Sequence, residues 1–185
     1  VTAHHASNGE EIWRVGGLNP THHKYFRSIA SPALLDGIVI APYGRGDSVT
    51  GIKLGGKGDV TASHAVWKRQ GNGSDVPTPA AAEGKTYILA DKGTVTCLEV
   101  ATGKPLWSGQ TEKSRFGFSS SPVLADGKLY ITREDGKTFV LALGDEFKVL
   151  AANELDGSQA VASPVFVNGK ILLRTDTHLY CIAGK

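Results

Sequence analysis

The sequence predicts an all-β protein, a β-propeller segment of four-stranded antiparallel blades, and three observations carry that prediction. A stretch opening with Ser-Pro or Thr-Pro recurs as SPALLDG from Ser31, TPAAAEG from Thr78, SPVLADG from Ser121 and SPVFVNG from Ser163. Its prolines, Pro32, Pro79, Pro122 and Pro164, lie 47, 43 and 42 residues apart, and a glycine follows each at a fixed offset: Gly37, Gly84, Gly127 and Gly169. Between the turns run short apolar stretches rich in Val, Ile, Leu, Tyr and Thr, and no window sustains a helical period. The three tryptophans, Trp13, Trp67 and Trp107, occupy one position of the repeat. Four short strands every ~40–45 residues is the arithmetic of a propeller blade, whereas a β-sandwich has no fixed period.

The elements follow in order. VTAHHASNGEEIW (1–13) aligns without a gap on VTCLEVATGKPLW (95–107), so residues 1–27 are expected to supply strands C and D of a blade. Residues 28–74, 75–118 and 119–159 form full blades, and 160–185 form strands A to C of a last one, which gives seventeen strands in a single segment, 1–185. Asp36-Gly37 between two apolar runs predicts a type I′ hairpin, in which both central residues take positive φ. The next turn, GRGDSVTG, reads as longer than its counterparts, and the fourth run of that blade is HAVWKRQ. Gly9 and Gly103 fall in the turn between strands C and D, where positive φ suits glycine. Trp13, Trp67 and Trp107 then lie on the outermost strand, where a flat aromatic can cover the neighbouring blade. The third full blade has EFKVLA there, with Phe147 or Val149 as the expected substitute and a weaker junction as the consequence.

Bulk properties narrow the function classes. A chain of 185 residues, 41% hydrophobic with net charge +2, is long enough for a core and offers no basic stripe for nucleic acid. No apolar run approaches the roughly 20 residues that span a bilayer. The chain begins at Val1 and contains no methionine, so a leader is expected upstream if there is one. Cys97 and Cys181 fall at equivalent positions of two blades that are not adjacent, too far apart for a disulfide, and both read as small buried hydrophobes.

The string S/T-P-x-x-x-x-G-x-x-Y/I, together with ATGKPLW at 101–107 and ASNGEEIW at 6–13, resembles the PQQ-like β-propeller repeat family and its tryptophan-docking motif. The resemblance covers essentially the whole chain. It implies the C-terminal part of a seven- or eight-bladed bacterial parent, whose missing blades would be partners of this segment, and a periplasmic or extracellular location. Members similar to the outer-membrane assembly lipoprotein bind protein partners without catalysis. Quinoprotein dehydrogenases instead hold pyrroloquinoline quinone and calcium in the ring, with a catalytic aspartate and often an adjacent cysteine pair.

In such a fold the D-to-A and B-to-C loops gather on one face. The candidate ligand or partner residues there are His22, His23, Arg27, Arg45, Asp47, Asp91, Arg115, Phe116, Arg133, Asp135 and Asp176. Calcium needs several converging oxygens, yet Asp91, Asp135 and Asp176 occupy corresponding turns of different blades. Adjacent cysteines, HExxH, CxxC, Ser-His-Asp and P-loop patterns are absent. Neither the His22-His23 nor the His4-His5 pair has spacing for zinc, and one of His4 and His5 is expected to face inward. Arg45-Gly46-Asp47 and the Asn72-Gly73-Ser74 sequon read as turns. No catalytic or metal residue and no cofactor is therefore expected. The leading reading is a scaffold that binds a protein or small ligand on the loop face; the alternatives are part of a PQQ- and calcium-dependent dehydrogenase, or an accessory domain of a larger signalling or redox protein. An open arc of blades leaves two unpaired edges and invites association, unless first and last strands share a blade in a small ring.

Overall fold

The computed structural model describes residues 1–19, 22, 24, 27–44 and 47–184. An N-terminal sheet pairs β1 (Thr2–His4) with β2 (Glu11–Arg14). The first full blade opens with β3 (Ala33–Leu35), β4 (Ile38–Tyr43) and β5 (Ser48–Lys53). A two-residue strand, β6 (Gly58–Asp59), then leaves that blade and pairs in parallel with β2. One helical turn, α1 (Thr61–His64), leads into β7 (Ala65–Gln70), which closes the blade in the order β3-β4-β5-β7. The second blade is β8 (Ala80–Ala82), β9 (Lys85–Leu89), β10 (Thr94–Glu99) and β11 (Pro105–Gln110). The third is β12 (Val123–Ala125), β13 (Lys128–Thr132), β14 (Thr138–Ala142) and β15 (Val149–Asn153). The last sheet holds β16 (Val165–Val167), β17 (Lys170–Arg174) and β18 (Leu179–Ala183).

This is the expected partial propeller, with differences of detail. The described residues carry an eighteenth strand, β6, and the short helix, neither of which has enough residues to show a period. Asp59 Oδ1 accepts the Thr61 N–H at 3.0 Å, an Asx turn at the entry to the helical turn. The turn after β4 is no longer than its counterparts, because Ser48 to Thr50 belong to β5 and Asp47 N–H already returns to Gly44 O at 3.0 Å. In the sheet order β18 pairs only with β17 and β1 only with β2, so the described strands form an arc and not the small shared-strand ring.

All four A-to-B hairpins have positive φ at both central residues: Asp36 and Gly37, Glu83 and Gly84, Asp126 and Gly127, Asn168 and Gly169. The pairing of turn type with strand twist is what fixes the common glycine. The serine or threonine before each proline has a separate job. Ser31 N–H donates to Thr78 Oγ1 at 3.0 Å, Thr78 N–H to Ser121 Oγ at 3.0 Å, and Ser121 N–H to Ser163 Oγ at 2.8 Å. A hydroxyl from each following blade thus satisfies a main-chain donor at the inner edge of the preceding one.

Tryptophans organise the outer junctions. Trp67 lies so close over Gly51 of its own blade and Gly103 of the next that a Cβ at either glycine would meet the ring at 2.1 and 2.5 Å. Its indole N–H donates to Val100 O at 2.9 Å, and that of Trp107 to Gly144 O at 2.9 Å. Each tryptophan sits directly after a bulge, opposite a fixed position of strand C: Trp13 opposite Ala3, Trp67 opposite Gly51, Trp107 opposite Cys97. In the third blade that register puts Ala151 opposite Val140. The docking substitute is therefore neither Phe147 nor Val149. Phe147 packs backwards, edge-on to Trp107 at 6.0 Å and over Gly109 of the second blade, and Val149 is exposed.

The two cysteines also part company. Cys97 is buried in the junction under Trp107, and burial pushes its thiol up to about 11. Cys181 holds the same register in the last sheet but is exposed, because no docked aromatic covers β18. Both are free thiols. His4 and His5 are both exposed, not one inward and one outward, since β1 has no B strand against it and His5 lies beyond its end.

Candidate functional site

The loop face is tied together blade to blade by main-chain hydrogen bonds. Phe118 N–H donates to Asp91 O at 3.0 Å, Glu134 N–H to Gly117 O at 3.0 Å, Ala160 N–H to Glu134 O at 2.9 Å and Asp176 N–H to Gln159 O at 2.9 Å. Each bond joins a B-to-C turn to a D-to-A connection, so side chains on this face start from fixed backbone positions.

Between the first two blades this face forms a notch of about 390 Å³ lined by Arg27, Gly44, Gly73, Asp75, Ala90, Asp91 and Lys92. Arg27 grips the Asp75 carboxylate with two nitrogens: Nε lies 3.0 Å from Oδ2, and the second nitrogen contacts the same oxygen. That hydrogen bond raises the Arg27 pKa further above its ordinary value, with Asp91 adding to the effect. Asp91 Oδ1 accepts the Asp75 N–H at 3.3 Å, and Lys92 is exposed at the rim. Asp47 braces the floor, its Oδ1 accepting the Gly73 N–H at 3.0 Å. Gly44 has no space for a side chain, since a Cβ there would stand 2.5 Å from the Asp75 backbone. The result is a rigid recess with both signs of charge.

Of the expected site residues, Arg27 and Asp91 line this notch and Asp47 supports it. Asp176 lies at the far end of the arc, where its Oδ1 accepts the Gln159 N–H at 3.0 Å and its own N–H returns to Gln159 O. Arg115 stacks 4.8 Å over the half-exposed Phe116 ring on the connection after β11. His22 is exposed with φ of 46°. His23 and Arg45 lie outside the described residues, which leaves the Arg-Gly-Asp reading with Asp47 alone.

Arg133 is not a solvent-facing ligand group: it is 5% exposed and fully engaged. Its guanidinium pairs with both Asp135 oxygens at 2.9 and 2.8 Å and with Glu112 at 3.2 Å. Lys137 joins the same set, 2.7 Å from Glu112 and 2.8 Å from Glu154. The hydrogen bond from Arg133 holds the Asp135 carboxyl below the usual range, and Lys137 does the same for Glu112. This five-residue network clamps the turn after β13 to the connections on either side of the third blade. The sequence hid it because its members are spread from 112 to 154.

A quinone-calcium centre needs converging carboxylates. Among the described residues no three His, Cys, Asp or Glu side chains gather in a metal-holding group. Asp91 and Asp176 each accept a main-chain N–H, from Asp75 and Gln159, and Asp135 is paired with Arg133, so these three carboxylates serve separate partners and do not converge as such a centre requires. No described helix is long and apolar enough to cross a membrane.

A family model described as outer membrane protein assembly factor BamB, PQQ_2, matches residues 1–146. No curated protein matches the chain in sequence. Among solved structures it is similar to BamB from Moraxella catarrhalis, at 15% identity and a TM-score of 0.69, over 95% of this chain and 48% of that one. It is similar to quinohemoprotein alcohol dehydrogenase ADHIIG from Pseudomonas putida HK5, at 16% identity and a TM-score of 0.60, over 80% of this chain and 28% of that one. The C-terminal WD40 domain of Sif2 aligns at 11% identity and a TM-score of 0.67, over 97% of this chain and 50% of that one. At these identities the likeness is one of fold, and the chain spans about half the length of that BamB.

Proposed function

The chain belongs to the PQQ_2 family, described as outer membrane protein assembly factor BamB, and from that membership we propose that it is a non-catalytic scaffold outside the cytoplasm that binds a protein on its loop face. One observation carries this reading: in the notch between the first two blades Arg27 and Asp75 are ion-paired and Asp91 accepts a main-chain N–H, as in a recognition surface, and these groups are not left poised for proton transfer. Arg27, Asp75, Asp91 and Lys92 offer both signs of charge within one recess, which suits a polar peptide segment with mixed charge. Catalysis through PQQ and calcium finds no converging set among the described residues.

Photo-crosslinking in cells producing the protein tests the reading. A crosslinker replacing Lys92 on the loop face is expected to capture a discrete protein, and one replacing Asp126 on the opposite hairpin face is not. Identical adducts from both positions, or none from Lys92, overturn the binding face. Reduction of an artificial acceptor on addition of PQQ, calcium and an alcohol overturns the non-catalytic role.

A further inference from the structure

The empty docking position of the third blade leaves a cavity, and the repeat itself says what shape of group fits it. Three blade junctions hold an indole against corresponding side chains of the following blade. Trp13 packs with Val39, Ala41 and Ile52, and Trp107 with Leu129, Ile131 and Leu141. Trp67 meets Ile88 and Leu98 in the same way. Strand pairing sets Ile171 opposite Ile182 and Leu173 opposite Tyr180, which gives Ile171, Leu173 and Ile182 those same places in the last sheet. No tryptophan reaches them, because Ala151 stands at the docking register. In its place is a cleft of about 280 Å³, walled by Tyr130, Thr138 and Val140 on the third blade and by Ile171, Leu173 and Ile182 on the last. Asn153 and Glu154 add polar groups at its rim.

We propose that this cleft is a binding site for a small planar bicyclic aromatic molecule bearing an N–H, such as indole. The site is independent of the loop-face reading, since none of its lining residues belongs to the notch between the first two blades. The walls are apolar over most of their extent, as in small-molecule pockets generally, and the volume is at the lower end of such pockets. The other junctions give the chemical class: a flat bicyclic ring between two sheets, with its N–H directed to an oxygen. Smaller side chains at the docking position leave unfilled contact surface that a free ring recovers.

Indole titrated into the full chain, followed by methyl chemical shifts and calorimetry, tests the site. The expected result is one saturable site with Kd on the order of 0.1–1 mM for so small a ligand. Shifts should centre on Val140, Ile171 and Leu173, with none at Ile52 in a filled junction. Ala151→Trp should abolish binding and raise the melting temperature by several degrees. Val140→Phe narrows the cleft from the opposite wall and should weaken binding at least several-fold; it decides the matter if Ala151→Trp does not fold. Absence of saturation up to the solubility limit of indole, shifts centred elsewhere, or undiminished binding in the variant that folds would overturn the site.

Discussion

The junction between the second and third blades and the junction between the third and last are built on the same register, yet only one is filled. In the first, Trp107 is buried among Tyr87, Cys97 and the following blade, with Phe147 against its edge at 6.0 Å and its N–H on Gly144 O. In the second, Ala151 reaches nothing comparable, β15 is exposed along its length, and Tyr130 against Phe166 at 4.5 Å is the aromatic contact across the gap. Inner-edge bonding is nevertheless the same at both, with Thr78 to Ser121 and Ser121 to Ser163. Blade stacking therefore has two separable parts: a polar relay at the inner edge that every described blade keeps, and an aromatic dock at the outer edge that one blade lacks.

The largest effect should come from emptying the filled junction. Trp107→Ala removes a buried bicyclic ring and a hydrogen bond and should cost about 3–5 kcal/mol. Urea denaturation measures it. Ala151→Gly, at the same register one blade on, should cost no more than about 1 kcal/mol. Similar costs for the two would mean that the junctions do not differ as their packing indicates.

A smaller loss is expected from the ion-pair network that braces the weaker junction from the loop face. Arg133→Met leaves Asp135 without its partner and should cost about 2–3 kcal/mol at neutral pH, below the range for fully buried pairs because Glu112 is half-exposed. The pH dependence has a defined sign. Arg133 depresses the folded-state pKa of Asp135 below the ordinary 3.8, so its contribution is complete above that value and disappears as pH falls through the depressed one. Denaturation midpoints of the two proteins should therefore converge as the solution is acidified below 3.8. A gap that stays constant to lower pH would assign the loss to packing of Arg133 over Phe139, 5.6 Å away, and not to charge.

What could be read from the sequence follows what repeats. Pro32 and its three copies fix the period, and Asp36-Gly37 fixes a hairpin because positive φ at two successive residues is a local demand. Trp13, Trp67 and Trp107 were legible as docks since a large residue at one repeat position has few other uses. Ala151 was not, because the connection from β14 to β15 is longer by one residue than that from β10 to β11, which moves the docking position along the chain relative to the copy in the second blade. The exposure of Cys181 depends on what packs over β18, which its own repeat position does not encode. For the site, Arg27 and Asp91 could be placed on the loop face by topology, but their meeting in one notch needs the curvature of the arc. Arg133 looked like a surface cation because arginines in turns usually are, and only the positions of Glu112 and Asp135 bury it.

The smallest effect tests the part the two junctions share. Ser121→Ala removes the acceptor for Thr78 N–H, and Ser163→Ala removes the acceptor for Ser121 N–H. Each leaves one partly buried main-chain donor unpaired, a loss of about 1 kcal/mol. The alcohols are small and the strands stay in place, so the cost is that of the hydrogen bond. If the relay is the common inner element, the two serines cost the same although their outer docks differ. A silent Ser163→Ala beside a costly Ser121→Ala would show that the relay depends on the tryptophan above it, and the two parts of the stack would then be one.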